Sequence, residues 1–467
     1  MKRIDYSIKN RQKKDTELEK IFKNLLYEKE IYVSVYDFND EISDLSELEQ
    51  PTKVAKLNIL SRDIWDYDTR LFSETEESDS YNRPRMYFCN YIIYMDKQSD
   101  RAAFYRLREM QEDWFCASFL KGSNGTEYHG EIEHSGSPVV YYKRALYITD
   151  HRLSANKLNR INYKYSKGIK APSTDLFVHN QLNAWLQDIH FTEAKIFRVG
   201  NANLINISGK NEKNGQKFEA IYDVGYHSKE YQDDTRIRYG CAVRRFKKIT
   251  PDIVFLSHWD DDHIIGCVYA DEKLFDCQWF APEIEKQKSL GAKRLAKYLS
   301  VKKKLTILKR NSINDRKVAT VSGSNGEISF YLGQNVSKNG LSKENCGGLV
   351  IEIINENPVD GNKVESLFCG DVPYKAIEKI LWSNRVIGYD NLVVPHHGSP
   401  MNYSPLKVKN GATAVICCND NKKNTTNTSR RPAPAHVKVL NRFPRQIGYS
   451  VNLTEYAKGS FISLKLE

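Results

Sequence analysis

Ser257–Gly266 reads SHWDDDHIIG and places four side chains with metal-ligating atoms within six positions: His258, Asp260, Asp262 and His263. The residues just before it, DIVFLS at 252–257, form a short, branched apolar run that predicts a buried strand. After Gly266 the chain becomes polar and compatible with a helix. The cluster is therefore predicted at a strand-to-helix turn, where side chains can converge on one point.

The spacing of these side chains indicates a metal site. His258, Asp260 and Asp262 alternate, so an extended segment would present them on one side, and His263 breaks the alternation and can serve a second ion. Imidazole together with carboxylate suits zinc, manganese or iron. The alternative is a solvated acidic turn flanked by two unrelated histidines. Three adjacent aspartates repel one another, however, and a bound cation relieves that repulsion most simply.

Composition limits the class of protein. A chain of 467 residues allows two or three domains, and 40% hydrophobic residues is typical of a globular protein. We expect no membrane association, because no apolar run approaches the length of a membrane span and the first 30 residues lack a signal-peptide core. The nine cysteines show no CxxC pairing, which argues against a disulfide framework and favours a cytoplasmic location.

The charge balance favours an anionic partner. The net charge is +11 and the sequence pI about 8.9, which suits contact with nucleic acid, nucleotides or phosphorylated surfaces. Thr235–Lys248, TRIRYGCAVRRFKK, is the most basic stretch before the ligand cluster. It is interpreted either as a contact to a phosphate backbone or as a solvated face.

Residues 1–185 are predicted to form an N-terminal mixed α/β domain. Helical spacing is seen at 14–30 and 100–114, and residues 39–62 are expected to turn helical after an acidic start. Strands are predicted at 31–38, 86–95 and 139–148. Two interpretations of this domain stay open: it recognises a partner or a substrate, or it is a structural extension. The sequence pattern does not distinguish between them.

Residues 190–467 are predicted to form a second domain of alternating strands and helices. Two of its strands end in chemistry-bearing residues: Ser366–Asp371 reads SLFCGD, and Asn391–Ser399 reads NLVVPHHGS. Burying adjacent histidines without partners is costly, so His396 and His397 indicate a functional site. Residues 446–466 alternate in polarity and are expected to close the chain as a terminal hairpin.

From about Ala194 onward these motifs resemble the metallo-β-lactamase superfamily. HxDxDH resembles the superfamily's HxHxDH, with Asp260 where the second histidine usually stands, and SLFCGD resembles its (T)GD motif. The hydrolase domain of the ComEC-type DNA-uptake channels shares the aspartate exchange and carries a nearly identical VPHHGS. The first hairpin, RVGNANL, departs from that branch's DVGQGDA at Arg198 and Asn203.

The resemblance implies an αββα sandwich of two mixed sheets with the metals at one edge. It also implies two divalent ions, zinc or manganese, about 3.5–4 Å apart and bridged by Asp371. One ion would be held by His258, Asp260 and His396, and the other by Asp262, His263 and His436. The choice between His396 and His397 as ligand stays open, although we assign His396. Asp262 and Asp371 are the predicted catalytic residues, and the predicted second-shell or substrate-facing residues are Asp223, His397 and Ser399.

The function implied is a metal-dependent hydrolase, a phosphodiesterase or nuclease that acts on nucleic acid or nucleotides through a metal-activated hydroxide. An alternative hypothesis is that the protein is an effector subunit of a bacterial defence system. Its N-terminal domain would dock onto a partner protein that controls its activity. A third hypothesis is a metal-free binding module, against which the near-complete ligand set argues.

Overall fold

A computed structural model describes residues 16–39, 53–73, 86–95, 101–111, 113–135, 139–169, 173–200, 202–226, 245–284, 288–309, 317–333, 347–356, 361–381, 389–399, 401, 408–418, 432, 436–437, 440, 450–453 and 461–467. Most of the basic stretch at 235–248 lies outside these residues. The chain forms two compact units. The first contains the described residues of 16–169 together with 288–301, and the second those of 173–284 and 302–467.

The described helices are α1 Thr16–Leu25, α2 Arg62–Ser73, α3 Arg101–Glu109, α4 Ala155–Ser166, α5 Asp175–Leu186, α6 Asp261–Ile264, α7 Leu290–Val301 and α8 Tyr374–Leu381. The strands of the first unit are β1 Ile31–Asn39, β2 Lys53–Leu60, β3 Phe88–Met95, β4 Phe115–Ser118, β5 Thr126–Ser135 and β6 Val139–Arg152. Those of the second are β7 Ile189–Phe197, β8 Leu204–Asn211, β9 Lys217–Val224, β10 Ile253–Phe255, β11 Gln278–Pro282, β12 Leu305–Leu308, β13 Lys317–Gly323, β14 Gly326–Leu332, β15 Leu349–Glu356, β16 Lys363–Phe368, β17 Tyr389–Val393, β18 Val408–Ile416, β19 Ser450–Leu453 and β20 Phe461–Lys465.

The six strands of the first unit close into a barrel in the order β1-β2-β3-β5-β6-β4. The expectation that residues 39–62 turn helical was wrong, because Lys53–Leu60 is a strand of this barrel. Ala55, Leu57 and Ile59 are fully buried at every second position, which is the period of a strand with one face on a core. The acidic residues ahead of β2 masked this alternation.

Helix α7 belongs to the first unit although its sequence lies between β11 and β12 of the second. Its Arg294 makes a two-pronged ion pair with Asp68 of α2, with Nε–Oδ1 at 2.8 Å and Nη2–Oδ2 at 3.0 Å. The Tyr87 and Tyr165 hydroxyls donate to the same carboxylate. Both charged groups are essentially fully buried, so their pairing and hydrogen bonds offset the cost of desolvation.

The second unit contains two seven-stranded sheets, with strand orders β12-β11-β10-β9-β8-β7-β20 and β13-β14-β15-β16-β17-β18-β19. Each sheet is antiparallel over one half and parallel over the other, with β9 and β16 at the change of direction. One apolar cluster draws residues from both sheets, and the Phe255 and Phe330 rings meet there with centroids 5.1 Å apart. The chain is therefore a mixed α/β protein, as predicted.

The expected terminal hairpin was wrong. Strand β19 pairs in parallel with β18 in one sheet, whereas β20 pairs antiparallel with β7 in the other. Alternating polarity predicted both strands correctly, but the partner of each strand comes from distant sequence.

The predicted site residues lie at the ends of strands in the parallel halves of the two sheets. Phe255 of β10 pairs with Tyr222 of β9, and Phe368 of β16 pairs with Val393 of β17. The residues that follow these four strands are therefore brought to the carboxyl ends of parallel strands, where ligand sites of α/β proteins commonly form. Among the helices the structure describes, none has the length and apolar character needed to cross a membrane.

Candidate metal centre

His258, His263 and Asp371 form one buried group whose ligand atoms lie within 4.8 Å of one another. Asp371 Oδ1 lies 3.2 Å from His263 Nε2, and its Oδ2 lies 3.9 Å from His258 Nε2. His258 and His263 follow β10, while Asp371 follows β16. Residues that follow strands of both sheets thus bring potential ligand atoms to one point.

A second group shares His263 and adds Asp262 and His397. His397 Nε2 lies 3.3 Å from Asp262 Oδ2 and 3.8 Å from Asp371 Oδ1. His396 Nε2 lies 3.7 Å from Asp371 Oδ2, on the opposite oxygen. Both histidines of PHHGS therefore face Asp371, and the His397 ring is the one that is fully buried.

The rings of three of these histidines are held through Nδ1. His263 Nδ1 lies 2.8 Å from Asp223 Oδ2, and His397 Nδ1 lies 3.0 Å from the Cys417 carbonyl oxygen. His258 Nδ1 lies 3.0 Å from Ser257 Oγ. A hydrogen on Nδ1 leaves the lone pair on Nε2, which is the tautomer that a metal ligand needs.

Asp223 and Ser257 together organise this arrangement. The Asp223 carboxylate accepts from the Ser257 backbone N–H at 2.6 Å and from its hydroxyl at 2.8 Å. Since a carboxylate only accepts, the Ser257 oxygen is left to accept from His258. Asp223 was predicted as a second-shell residue; its carboxylate contacts His263 Nδ1 at 2.8 Å, and the role itself stays a prediction. Ser257 was given no role, although it stands directly before the HxDxDH motif.

Three buried atoms of the centre have no hydrogen-bond partner among the described residues: His263 Nε2, Asp371 Oδ1 and His397 Nε2. Leaving such atoms unsatisfied costs about 1–3 kcal/mol each. All three belong to the two groups above, so their lone pairs share one small volume. Imidazole nitrogen and carboxylate oxygen are the donors that divalent transition metals prefer. The residues present therefore fit a metal ion.

The electrostatics of the centre favour a positive charge. Burial alone would lower the pKa of His263, but Asp371, Asp223 and Asp262 raise it well above its usual 6.5. Burial would raise the pKa of Asp371, yet the neighbouring histidines hold it well below 3.8. Asp262 is likewise kept ionised, since His263 and His397 outweigh its burial and lower its pKa. The carboxylates thus stabilise a cation at this place, whether it is a proton or a metal.

The backbone of the histidine turn is strained. His396 and His397 have φ of 48° and 53°, and Gly398 follows at 73°. The left-handed region costs a residue with a Cβ about 1–2 kcal/mol, and such strain concentrates at functional sites. The His396 backbone N–H donates to the Gly370 carbonyl at 3.0 Å, so this turn is tied to the Gly-Asp turn. Asp223 is also left-handed, at 60°.

Two predicted residues, Asp260 and His436, lie at the margin of the centre. Asp260 is 31% exposed and sits 3.1 Å from His258 Nε2. His436 is fully buried, with Nε2 2.8 Å from the Tyr374 hydroxyl and Nδ1 3.0 Å from the Ser399 carbonyl oxygen. Burial lowers the pKa of His436 to about 4, against the opposing effect of the Ser399 and Gly398 carbonyls. His436 is absent from both ligand groups, and its ligation stays a prediction.

Asn203, one of the departures noted in the first hairpin, lies beside the ligand turn. Its carbonyl accepts from Gly225 N–H at 2.7 Å, and a Cβ on Gly225 would lie only 2.2 Å from the Asp262 carbonyl oxygen. Asn203 is 1% exposed, and neither atom of its side-chain amide has a partner among the described residues. A buried, uncharged side chain thus lies beside the ligand turn.

Comparison with known proteins leaves the chain without a family assignment. No family model matches the sequence, and no curated protein does so significantly. Among solved structures, CmlA, a diiron β-hydroxylase from Streptomyces venezuelae, is similar with a TM-score of 0.30 and 10% identity, over 89% of this chain and 69% of that chain. A point mutant of the CmlA β-hydroxylase gives a TM-score of 0.30 and 9% identity over the same shares. Likeness at this TM-score defines neither a fold nor an activity.

Proposed function

We propose that residues 190–467 form a metallo-β-lactamase-type αββα sandwich, and that the protein is a metal-dependent hydrolase of phosphodiesters in nucleic acid or nucleotides. Two seven-stranded mixed sheets that share one apolar cluster support the sandwich. The motif order HxDxDH, Gly-Asp, PHHGS supports the class of enzyme, because all three motifs meet at one buried point.

One observation carries the proposal: His263 Nε2, Asp371 Oδ1 and His397 Nε2 are buried without partners at the same place. His263 Nε2 lies 3.2 Å from Asp371 Oδ1 and His397 Nε2 lies 3.3 Å from Asp262 Oδ2, but neither contact meets the geometry of a hydrogen bond. The Nδ1 atoms of His263 and His397 contact polar groups of the protein, whereas their Nε2 atoms lack hydrogen-bond partners and lie close to each other. Such a centre is costly unless a cation completes it.

The ligand groups suggest how ions would be held. His258, His263 and Asp371 would hold one, and Asp262 and His397 would serve a second beside it, with Asp371 close to both. This assigns His397 as a ligand together with, or in place of, His396. Ligation by His436 would require its Nε2 to leave the Tyr374 hydroxyl. The chemistry that such ions supply is neutralisation of charge on the substrate and a lowered pKa for water.

The residues of the chain have separable roles. Asp223 and Ser257 keep the His258 and His263 rings in one tautomer and orientation. The side chains of Asp260 and Asp262 are 31% and 23% exposed, so they form the open side of the centre, where substrate and water enter. Since Asp262 stays ionised, it orients water by accepting its hydrogen. The net charge of +11 favours a polyanionic substrate.

The direct test is the metal content of purified wild type, Asp262→Ala and Asp371→Ala, with turnover of single-stranded DNA, RNA and bis-p-nitrophenyl phosphate on the same samples. Asp252→Asn is the matched control, because this carboxylate only accepts from the Glu219 backbone N–H at 2.8 Å. We expect about two ions per chain, with metal and turnover lost in the two site variants alone. Metal bound without turnover would favour the partner-gated effector. Failure to bind zinc or manganese after reconstitution would refute the hydrolase.

A further inference from the structure

Helix α4 carries a row of cations on one side. Lys157, Arg160, Lys164 and Lys167 (just after the helix end) follow a spacing of three, four and three residues, which keeps them within one narrow stripe. Ile161 and Tyr165 are buried on another side. The chain has no acidic residue from Leu153 to Thr174. Like charges at these spacings cost a few tenths of a kcal/mol per pair, and nothing on the helix offsets them.

A second basic helix packs against the first. Helix α7 contacts α4 within the first unit, and residues 286–314 around it also contain no acidic residue. The Lys297 ammonium of α7 donates to the Lys164 carbonyl of α4. Burial lowers the pKa of Lys297, and the nearby charge of Lys167 lowers it further. Two acid-free segments from distant parts of the sequence thus bring their cations together.

Some of these cations are already engaged. Lys157 lies 3.0 Å from the Tyr32 hydroxyl and 3.8 Å from Glu30. Lys164 donates to Thr69 Oγ1 at 2.6 Å and lies over the Trp65 ring. Their charge still contributes to the local potential, but their ammonium groups are held in place.

Arg160 and Lys167 remain at the exposed surface, and neither has a carboxylate partner within the part of the chain that the structure describes. Of the acids on α2, Asp68 is paired with Arg294, and Asp66 lies 4.0 Å from Arg62. Arg160 is therefore available to an anion, and so is Lys167 through the N–H groups that it does not donate to the Tyr163 hydroxyl.

An exposed aromatic ring stands among them. Tyr163 is 58% exposed, and the Lys167 ammonium lies 4.4 Å from its ring centroid. Surfaces that bind single-stranded nucleic acid combine two components: cations that contact the phosphates, and an aromatic ring on which a base can stack. An anionic membrane would instead need large apolar side chains on the same stripe, and the stripe offers none.

We propose that Arg160, Tyr163 and Lys167 form a surface, the α4 surface, that binds the backbone and bases of single-stranded nucleic acid. This inference deepens the proposed function, on which it rests for the choice of substrate. It gives the first unit a role in binding nucleic acid that is independent of the hydrolysis of a small phosphodiester.

The test measures binding of short fluorescein-labelled single-stranded DNA and RNA to the full chain carrying Asp371→Ala, at several salt concentrations. Arg160→Gln/Lys167→Gln should lower the slope of log Kd against log salt by about 1.4, because each lost phosphate contact on a single strand contributes about 0.7. Tyr163→Ala should weaken binding roughly five-fold to a hundred-fold through lost stacking. Lys121→Gln/Arg144→Gln is the matched control, since it removes two exposed cations elsewhere on the first unit.

The outcomes separate this inference from the proposed function. Unchanged turnover of bis-p-nitrophenyl phosphate by the α4-surface variants, in an otherwise wild-type chain, together with weakened oligonucleotide binding, would confirm the surface. Oligonucleotide binding that depends on the surface, in a protein that never hydrolyses either substrate, would uphold the surface and refute the hydrolase. Equal weakening by the control pair would overturn the inference, as would binding to phosphatidylglycerol vesicles without binding to oligonucleotides.

Discussion

His263 lies between two carboxylates, with Nδ1 2.8 Å from Asp223 Oδ2 and Nε2 3.2 Å from Asp371 Oδ1. One carboxylate comes from the end of β9 and the other from the turn after β16. The surroundings of the His263 ring therefore depend on the positions of strands from both sheets. This arrangement also makes Asp223 the residue through which the tautomer of His263 can be changed without removing a ligand.

Asp223→Asn should lower metal affinity by about 10- to 100-fold, which is typical for loss of a carboxylate behind a ligating histidine. The amide can present an N–H to His263 Nδ1 and so favours the wrong tautomer. Competition with a fluorescent chelator measures the affinity, and Asp252→Asn serves as control. Unchanged affinity in Asp223→Asn would show that the contact does not support a metal ligand.

The metal-free protein should lose stability as pH rises. The raised pKa of His263 gives stability that is fully present below the usual value of 6.5 and is lost as pH rises through the higher folded value. The lowered pKa values of Asp262 and Asp371 act at the acid end, where stability present above 3.8 is lost as pH falls. We expect the Tm of chelator-treated wild type to be highest between these limits.

The difference in Tm between wild type and His263→Gln gives the contribution of His263 to the pH dependence of stability. It should shrink as pH rises in the metal-free proteins. With metal bound the trend should reverse, because the ion competes with the proton for His263. A difference that does not vary with pH in the metal-free proteins would contradict the assigned ion pairs.

Gly370→Ala should destabilise the protein much more than Gly361→Ala. Both glycines have positive φ, at 54° and 68°, so both variants carry about 1–2 kcal/mol of backbone strain. A Cβ at Gly370 would lie 2.6 Å from Ser257 Cβ and 2.9 Å from Tyr222 Oη, whereas one at Gly361 meets nothing within 4 Å. Overpacking should add about 1–3 kcal/mol at Gly370 alone. Urea unfolding measures both, and equal losses would refute the close approach.

Arg294→Ala should cost about 3–5 kcal/mol, because it leaves the Asp68 carboxylate buried without its cation. The comparison is Arg152→Ala, whose ion pair with Asp113 at 2.9 Å is largely exposed and should contribute at most about 1 kcal/mol. Chemical denaturation followed by tyrosine and tryptophan fluorescence reports both values. Similar losses in the two variants would mean that α7 does not stabilise the first unit through this pair.

The sequence predicted the parts of the site that follow from local pattern. Strand, turn and ligand spacing placed His258, Asp262, His263, Asp371 and the two adjacent histidines at strand ends, and the structure brings their side chains together. Whether His396 or His397 ligates could not be read from the motif, because the choice depends on a left-handed turn and on the Cys417 carbonyl of a neighbouring strand.

Features that depend on distant partners were missed. Ser257 acts through Asp223, which lies on another strand, so its role could not be seen from its own neighbours. The sheet membership of β19 and β20 and the placement of α7 are likewise decided by pairing across the chain. The expected domain boundary near 185–190 followed sequence order, whereas the contacts place residues 173–185 in the second unit and α7 in the first.

The position of α7 has a consequence for biosynthesis. A ribosome releases the chain from its N-terminus, and most domains fold as soon as their own residues have emerged. The barrel unit cannot do so, because Arg294, the partner of its buried Asp68, is translated only after β7–β11. During synthesis, the Asp68 carboxylate of the barrel therefore has no Arg294 partner until α7 has been translated. A stop codon anywhere before α7 would leave both units incomplete.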